Sequence, residues 1–268
     1  MLLYTLKLYI HKELKNKIVS QNLIIMFDNY PKTRTKLPES FEVIYKNHYK
    51  SNRKGETNAS NIAQKMESWL HKKVASDVEK DHIKKTLEIG AGTLNQLEYE
   101  QSSHYDIIEP FSELYLDSKY LSKIKNIYTD IDEIDLNEKY NRITSVATFE
   151  HIIDLPKVIA KSCILLDSSG SLRTSIPNEG TFLWKLGWKM TTGLEFNLKY
   201  GLNYETLMKH EHVNDANEIE EILNYFFGYN KCYVFGLNKK IALYRFYESK
   251  EPKIELAKKY IESLNDKK

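Results

Sequence analysis

Apolar residues recur along this chain with two different periods. Across residues 41–78 they fall three and four positions apart, at Ile44, Tyr45 and Tyr49 and again at Ile62, Met66, Trp69 and Leu70. This spacing predicts two helices broken near Gly55, with Asn58 or Ser60 as N-cap. Short apolar runs then take over at residues 86–89, 105–108, 124–129, 143–148 and 171–176, the last bounded by Gly170 and Pro177. Each run predicts a buried strand. Their intervals of roughly 20 to 30 residues match the rhythm of βα units in a parallel sheet. Residues 178–214 break that rhythm with an aromatic-rich stretch. An amphipathic helix at 216–227 restores it, and "KCYVFGL" and "KIALYRFY" close the pattern as two strands joined near Asn238. The prediction is an α/β fold: a mostly parallel seven-stranded sheet with helices on both faces, an N-terminal helical extension and a lid insertion after strand 5.

The same pattern divides the chain into residues 1–40, an N-terminal extension and linker with two prolines near its end; residues 41–250, the main domain, with 178–214 as a substrate lid; and residues 251–268, a C-terminal helical tail. The apolar start "MLLYTLKLYI" is interrupted by Lys7, Lys12, Glu13, Lys15 and Lys17 before about 20 residues are reached, so no membrane span is expected. An amphipathic helix or a poorly ordered extension is the expectation there, and Met26 is a second possible start.

Composition narrows the class. The 268 residues, 41% of them hydrophobic, suffice for one large domain with attachments. The 39 basic and 37 acidic side chains leave a formal charge of +2, too little to draw in nucleic acid. Cys163 and Cys232 stand far apart, which speaks against a disulfide scaffold or structural zinc and leaves a reducing cytoplasm as the default.

The chemistry begins at "TLEIGAGTLN", where the first strand breaks into Gly90 and Gly92. A dinucleotide loop carries a third glycine for close packing of helix on strand, and Leu94 holds that slot here, which predicts looser packing. Glu88 at the mouth of the loop repels a pyrophosphate and attracts a ligand bearing positive charge. S-adenosyl-L-methionine, with an ammonium, a sulfonium and no phosphate, is such a ligand. Glu109 ends the second strand, where an acid receives both ribose hydroxyls. After the third strand Asp130 can accept from an adenine amino group while Ile131 packs on the ring. Asp130 also suits a helix cap. The fourth strand ends in "SVATFEHIIDLP", carrying Glu150 and His151.

With these four strand ends in order, the chain resembles the class I S-adenosylmethionine-dependent methyltransferases, of the broad group acting on small molecules and glycans. The likeness is strongest from residue 86 to residue 177. It implies a Rossmann-like sheet, with Glu88, Gly90, Ala91 and Gly92 as the methionine-side loop, a contact from Asn95, Glu109 on the ribose, and Asp130 and Ile131 on adenine. It further implies that Thr148 and Phe149 lie beside the cofactor.

Because a sulfonium already activates its methyl group, the protein mainly aligns the acceptor and excludes water. A hydroxyl acceptor benefits from a base, and His151 on the rim is the candidate. Trp184, His210, Glu211 and His212 in the lid are candidate substrate residues, and the lid aromatics Phe182, Trp188, Phe196, Tyr200 and Tyr204 suit apolar faces of sugars or form a small core of their own. No metal site is expected: residues two apart such as His210 and His212 share a direction only in a strand, and a further ligand must come from elsewhere. Arg53 could pair with the cofactor's carboxylate. The stretch "ATFEH" lacks the Asn/Asp-Pro-Pro-aromatic run of exocyclic-amine methyltransferases, so no nucleic-acid partner is expected. The expectation is methyl transfer to a small-molecule or glycan hydroxyl. Alternatives are a non-catalytic module of the same fold and a nicotinamide-dependent reductase.

Overall fold

The computed structural model describes residues 27–41, 61–78, 84–181, 184–186, 189 and 192–265. The apolar runs assemble into one seven-stranded sheet of order β3-β2-β1-β4-β5-β7-β6. Strands β1 (Lys85–Ile89), β2 (His104–Ile108), β3 (Ile124–Tyr128), β4 (Tyr140–Val146) and β5 (Leu166–Pro177) run parallel. β7 (Ile241–Pro252) lies antiparallel between β5 and β6 (Phe227–Asn238). The chain steps outward from β1 to β3 and then crosses back to β4 beside β1. A crevice therefore opens beyond the carboxyl ends of β1 and β4, where ligands of open α/β sheets bind.

The sheet is accompanied by helices α1 (Asn61–Val74), α2 (Leu155–Leu165), α3 (Thr192–Tyr200), α4 (Tyr204–Glu211), α5 (Ala216–Phe226) and α6 (Ile254–Asn265). One sheet face, built from Leu87, Ile89, Ile143, Leu172 and Ile176, packs on Ile159 and Cys163 of α2, Ile219, Ile222 and Phe226 of α5, and Ala257 and Tyr260 of α6. Asp215 starts α5 with a full capping box, accepting from the Glu218 N–H while Glu218 accepts from its own. Both cysteines are free thiols. Among the described residues no helix is long and apolar enough to cross a membrane.

Several expectations change in detail. The connections between β1 and β4 hold only 3-10 turns, such as Asn95–Glu98 and Ile131–Glu133, where βα spacing predicts helices. Leu94, left-handed at φ 65°, directly precedes the short turn Asn95–Glu98. β4 begins at Tyr140 and ends at Val146, because Ala147 takes a positive φ of 48° and turns the chain. Helix α6 packs on the main core through Ala257 and Tyr260. Residues 27–41 wrap the domain: Phe27 stacks on Phe226 at 6.0 Å, and the Tyr30 hydroxyl donates to Asn214. The expected helix before Gly55 and the N-terminal extension up to residue 26 lie outside the described residues.

Candidate active site

The glycine loop after β1 is shaped by two different demands. At Gly90, φ +72°, a Cβ would come within 2.3 Å of the Thr148 side chain, so glycine lets the ends of β1 and β4 close on each other. At Gly92, φ +51°, a Cβ would meet nothing within 4 Å, so only the backbone conformation favours glycine there. Its N–H donates to Glu109 Oε2 at 2.8 Å. Leu94, in the slot of the missing third glycine, takes a left-handed backbone with φ 65°, yet its side chain is fully buried against Ala91, Leu97, Tyr105 and Ile107. The looser packing predicted for this slot is therefore not found. The leucine fills the space that helix and strand would otherwise close.

Beyond the loop lies a cavity of about 600 Å³, a size typical of small-molecule sites. Its wall brings together Glu88, Gly90, Ala91, Gly92, Asn95, Glu109, Asp130, Ile131, Thr148, His151 and Glu211 from the sequence-derived set. Glu109 is buried at the end of β2, and its other oxygen accepts from the Phe111 N–H at 3.1 Å. Both carboxylate oxygens are thus held in place at the mouth of the loop. Glu88 is buried and accepts from the Tyr105 hydroxyl at 2.9 Å. Burial pushes its carboxyl up to about 8, and the Tyr105 hydrogen bond offsets this only in part. Asp130 is exposed and accepts from the Asp132 N–H, capping the turn Ile131–Glu133, so the cap and the cavity wall are one residue. Ile131 is buried beside it.

Other expectations fall elsewhere. Phe149 is fully buried in the main core and does not line the cavity; the strand-end turn points Thr148 outward and Phe149 inward. Arg53 lies outside the described residues, as do Phe182 and Trp188. His210 turns to the carbonyl of Thr35 at 2.6 Å. Trp184 donates from its indole to Glu179, whose carboxylate also holds His212 Nδ1 at 2.8 Å. Burial opposes the Glu179 charge, but the bonds from His212 and Trp184 outweigh it and hold its pKa below the usual range. Phe196, Tyr200 and Tyr204 pack with Leu37, Phe41 and Leu207 into a separate small core, the second of the two lid readings.

Sequence reasoning missed Arg34, Glu67, Leu70, His71 and Gln96, which also line the cavity. Arg34 donates to the carbonyls of His151, His210 and Glu211, drawing three segments together. Its proline-bounded stretch looked like a linker, although a basic side chain between two prolines is the only trace of this role. His71 Nδ1 pairs with Gln96 Oε1 at 2.8 Å. Burial lowers the pKa of His71.

At the acceptor end, His151 Nδ1 faces the carbonyl oxygen of Glu211 at 3.0 Å. A carbonyl only accepts, so Nδ1 carries the proton and the lone pair of the neutral ring sits on Nε2. His151 Nε2 lies 3.8 Å from Glu150 Oε1.

No family model matches the sequence, and no curated protein matches it. Solved structures do. The plantazolicin methyltransferase BpumL, in complex with a pentazolic desmethylPZN analogue and SAH, is 15% identical, with 79% of this chain and 93% of that chain covered and a TM-score of 0.54. A SAM-dependent methyltransferase from Thermotoga maritima, described as a possible histamine N-methyltransferase, is 10% identical over 79% of this chain and 98% of its own, with a TM-score of 0.52. The chain has the Rossmann-like fold of S-adenosylmethionine-dependent methyltransferases.

Proposed function

We propose that this protein is an S-adenosylmethionine-dependent methyltransferase that acts in the cytoplasm on a hydroxyl of a small-molecule or glycan acceptor. The observation that carries the proposal is the buried Glu109 carboxylate, fixed by the N–H groups of Gly92 and Phe111 at the switch point of the sheet. The residues present fit the cofactor. Glu109 offers acceptors to two ribose hydroxyls, Ile131 offers an apolar wall to adenine with Asp130 at its edge, and open space stands beside Gly92. Glu88 at the base of the loop would face the cofactor's ammonium. Glu88 does not suit a pyrophosphate, which disfavours a nicotinamide cofactor, whereas Glu109 can serve a ribose in either ligand. That two structures of this fold carry SAH or a methyltransferase description agrees with the reading.

When bound, the cofactor supplies an electrophilic methyl carbon and leaves as a neutral thioether. The chain's own part is to hold the acceptor oxygen in line and exclude water. In that transfer His151 Nε2 would take the acceptor's proton, with the Glu150 carboxylate 3.8 Å away favouring the imidazolium. Residues 178–214, reaching the cavity through Glu211, serve as the lid over the acceptor.

Calorimetry with S-adenosylhomocysteine and with NADH tests the cofactor, and labelled cofactor in a cell extract traps the acceptor. Binding of NADH alone overturns the assignment, and cofactor binding without transfer to any acceptor in a broad panel favours a non-catalytic module. The His151→Ala variant is expected to lower the rate of hydroxyl methylation roughly 100-fold with cofactor affinity kept. An unchanged rate removes the base and leaves alignment alone.

A further inference from the structure

Beside the cofactor cavity, three side chains from two separate segments converge. Glu150 and His151 lie in the turn after β4, and His212 follows α4. One ligand atom from each lies within 4.8 Å of the others. The two rings meet edge to face, with centroids 4.8 Å apart.

The hydrogen bonds around this corner fix which atoms face inward. His151 gives its Nδ1 proton to the Glu211 carbonyl, and His212 Nδ1 faces the Glu179 carboxylate. In each neutral ring the lone pair is therefore on Nε2. A histidine held at one nitrogen by a carboxylate or a carbonyl is the outer arrangement found around metal-bound imidazole. Glu179 is in turn held by the Trp184 indole. Glu150, 2% exposed, supplies a buried carboxylate, and the Glu211 carboxylate stands 3.4 Å from His151 Nδ1. The Arg34 guanidinium is directed at carbonyl oxygens of this corner.

We infer that Glu150, His151 and His212 form a binding site for a divalent transition-metal ion of the zinc type. Two imidazoles and a carboxylate favour such an ion over magnesium or calcium, which prefer all-oxygen shells. Ligand atoms around a tetrahedral zinc at about 2.1 Å stand about 3.4 Å apart, so the widest pair must close by about 1.4 Å. The backbone is ready for this. The N–H groups of Val213 and Asn214 donate to the Glu150 carbonyl at 2.8 and 3.1 Å, and the Asn214 amide donates to the carbonyls of Phe149 and Ile152. The segments are thus already in register, and side-chain rotation completes the site. The site goes beyond the methyl-transfer reading and concerns binding by itself. With an ion bound, His151 Nε2 would no longer be available as a base.

The test is zinc calorimetry on the full, untagged chain after metal removal. One zinc per chain is expected, with affinity lowered at least 100-fold in His212→Gln and Glu150→Gln and about 10- to 100-fold in Glu179→Gln. Cobalt loading is expected to give the visible bands of a four-coordinate ion. Zinc X-ray absorption on the unsubstituted protein needs no variant, and it is expected to show two imidazoles with oxygen. No stoichiometric binding, equal affinity in all variants, or a shell with sulfur or a single imidazole overturns the site. Saturable binding of tetramethylammonium in place of zinc also overturns it, and assigns these acids to a cationic acceptor. S-adenosylhomocysteine binding on the same sample reports the cofactor cavity separately.

Discussion

The two faces of the central sheet hold their helices by different physics. Toward α2, α5 and α6 the strands present Ile143, Leu172 and Ile176, and docking is by apolar burial. Toward α1 the neighbouring positions on the same strands are Arg142 and Arg173, both almost wholly buried. Arg142 donates to both oxygens of Glu100, to Asp77 and to the carbonyl of Val74. Arg173 donates to the carbonyls of Val74 and Lys73 and to Glu248. The last carbonyls of α1 lack partners within the helix, and the guanidiniums supply them. Burial works against the Arg142 charge, but Glu100 and Asp77 outweigh it and keep its pKa above the ordinary value. For Arg173 burial prevails and lowers it.

Apolar contact is non-directional, whereas this network fixes α1 in one register. That matters because α1 carries Glu67, Leu70 and His71 to the cavity. From Arg142 the chain of contacts runs through Glu100 to Gln96 and on to His71. The sharpest way to break the comparison is to truncate one residue on each face. Arg142→Ala leaves Glu100 buried without its cation, while the half-buried Asp77 keeps Arg173 and Lys84, and is expected to cost about 3–5 kcal/mol in urea denaturation. It is also expected to weaken S-adenosylhomocysteine binding. Ile143→Ala, facing the other way, is expected to cost about 2–4 kcal/mol through the cavity it leaves, with affinity within about twofold of the original. Equal effects on affinity would sink the claim that only the polar face positions the site.

Glu109 is the next largest effect. Its removal takes two acceptors from the cofactor and one partner from Gly92, and Glu109→Ala is expected to raise the dissociation constant about 100-fold, near 3 kcal/mol. Near-original binding by a folded variant removes the ribose assignment.

Glu88, on the polar face of β1, separates stability from function. Its carboxyl is raised from 4.5 to about 8 by burial, so between those values the folded chain keeps a proton that the unfolded chain releases. Stability contributed by this group is present below about 4.5 and lost as pH rises through about 8. Glu88→Gln is expected to remove that loss, gaining on the order of 2 kcal/mol at pH 7 relative to pH 4.5 in denaturation curves. Cofactor affinity of the original chain is expected to rise over the same window, since an ammonium favours the ionised acid. Parallel pH curves for the two proteins contradict both.

The strands and the loop acids were legible because each reports itself locally. An apolar run predicts a strand, and an acid at the end of a run predicts a site. Leu94 was read correctly as a departure from glycine and incorrectly as a packing defect, because sequence does not reveal that a leucine adopts φ 65°. The polar face was not legible at all. Arg142 and Arg173 look like solvated charges in β-type runs, and their partners Asp77, Glu100 and Glu248 come from segments far apart in the chain. The acceptor corner was half legible: His151 and the 210–212 cluster were singled out separately. Their meeting depends on Arg34 and Asn214, whose roles exist only in three dimensions.

The smallest expected effect concerns Asp130, a site acid that stands exposed. Asp130 caps a 3-10 turn and lines the cavity, so truncation mixes two roles. Asp130→Asn keeps an oxygen for both the Asp132 N–H and an adenine amino group, because asparagine caps as well as aspartate does. It is expected to leave stability and affinity nearly unchanged. Asp130→Ala removes both, with about 1 kcal/mol lost in stability and a severalfold weaker cofactor. Calorimetry and denaturation on the pair divide the roles: a stability loss in Asp130→Ala with affinity intact makes the residue a cap alone. A weakened cofactor in Asp130→Asn would instead show that its charge matters. Since an exposed carboxylate in high dielectric exerts little field, that outcome would place the adenine end of the cavity in a drier setting than its exposure indicates.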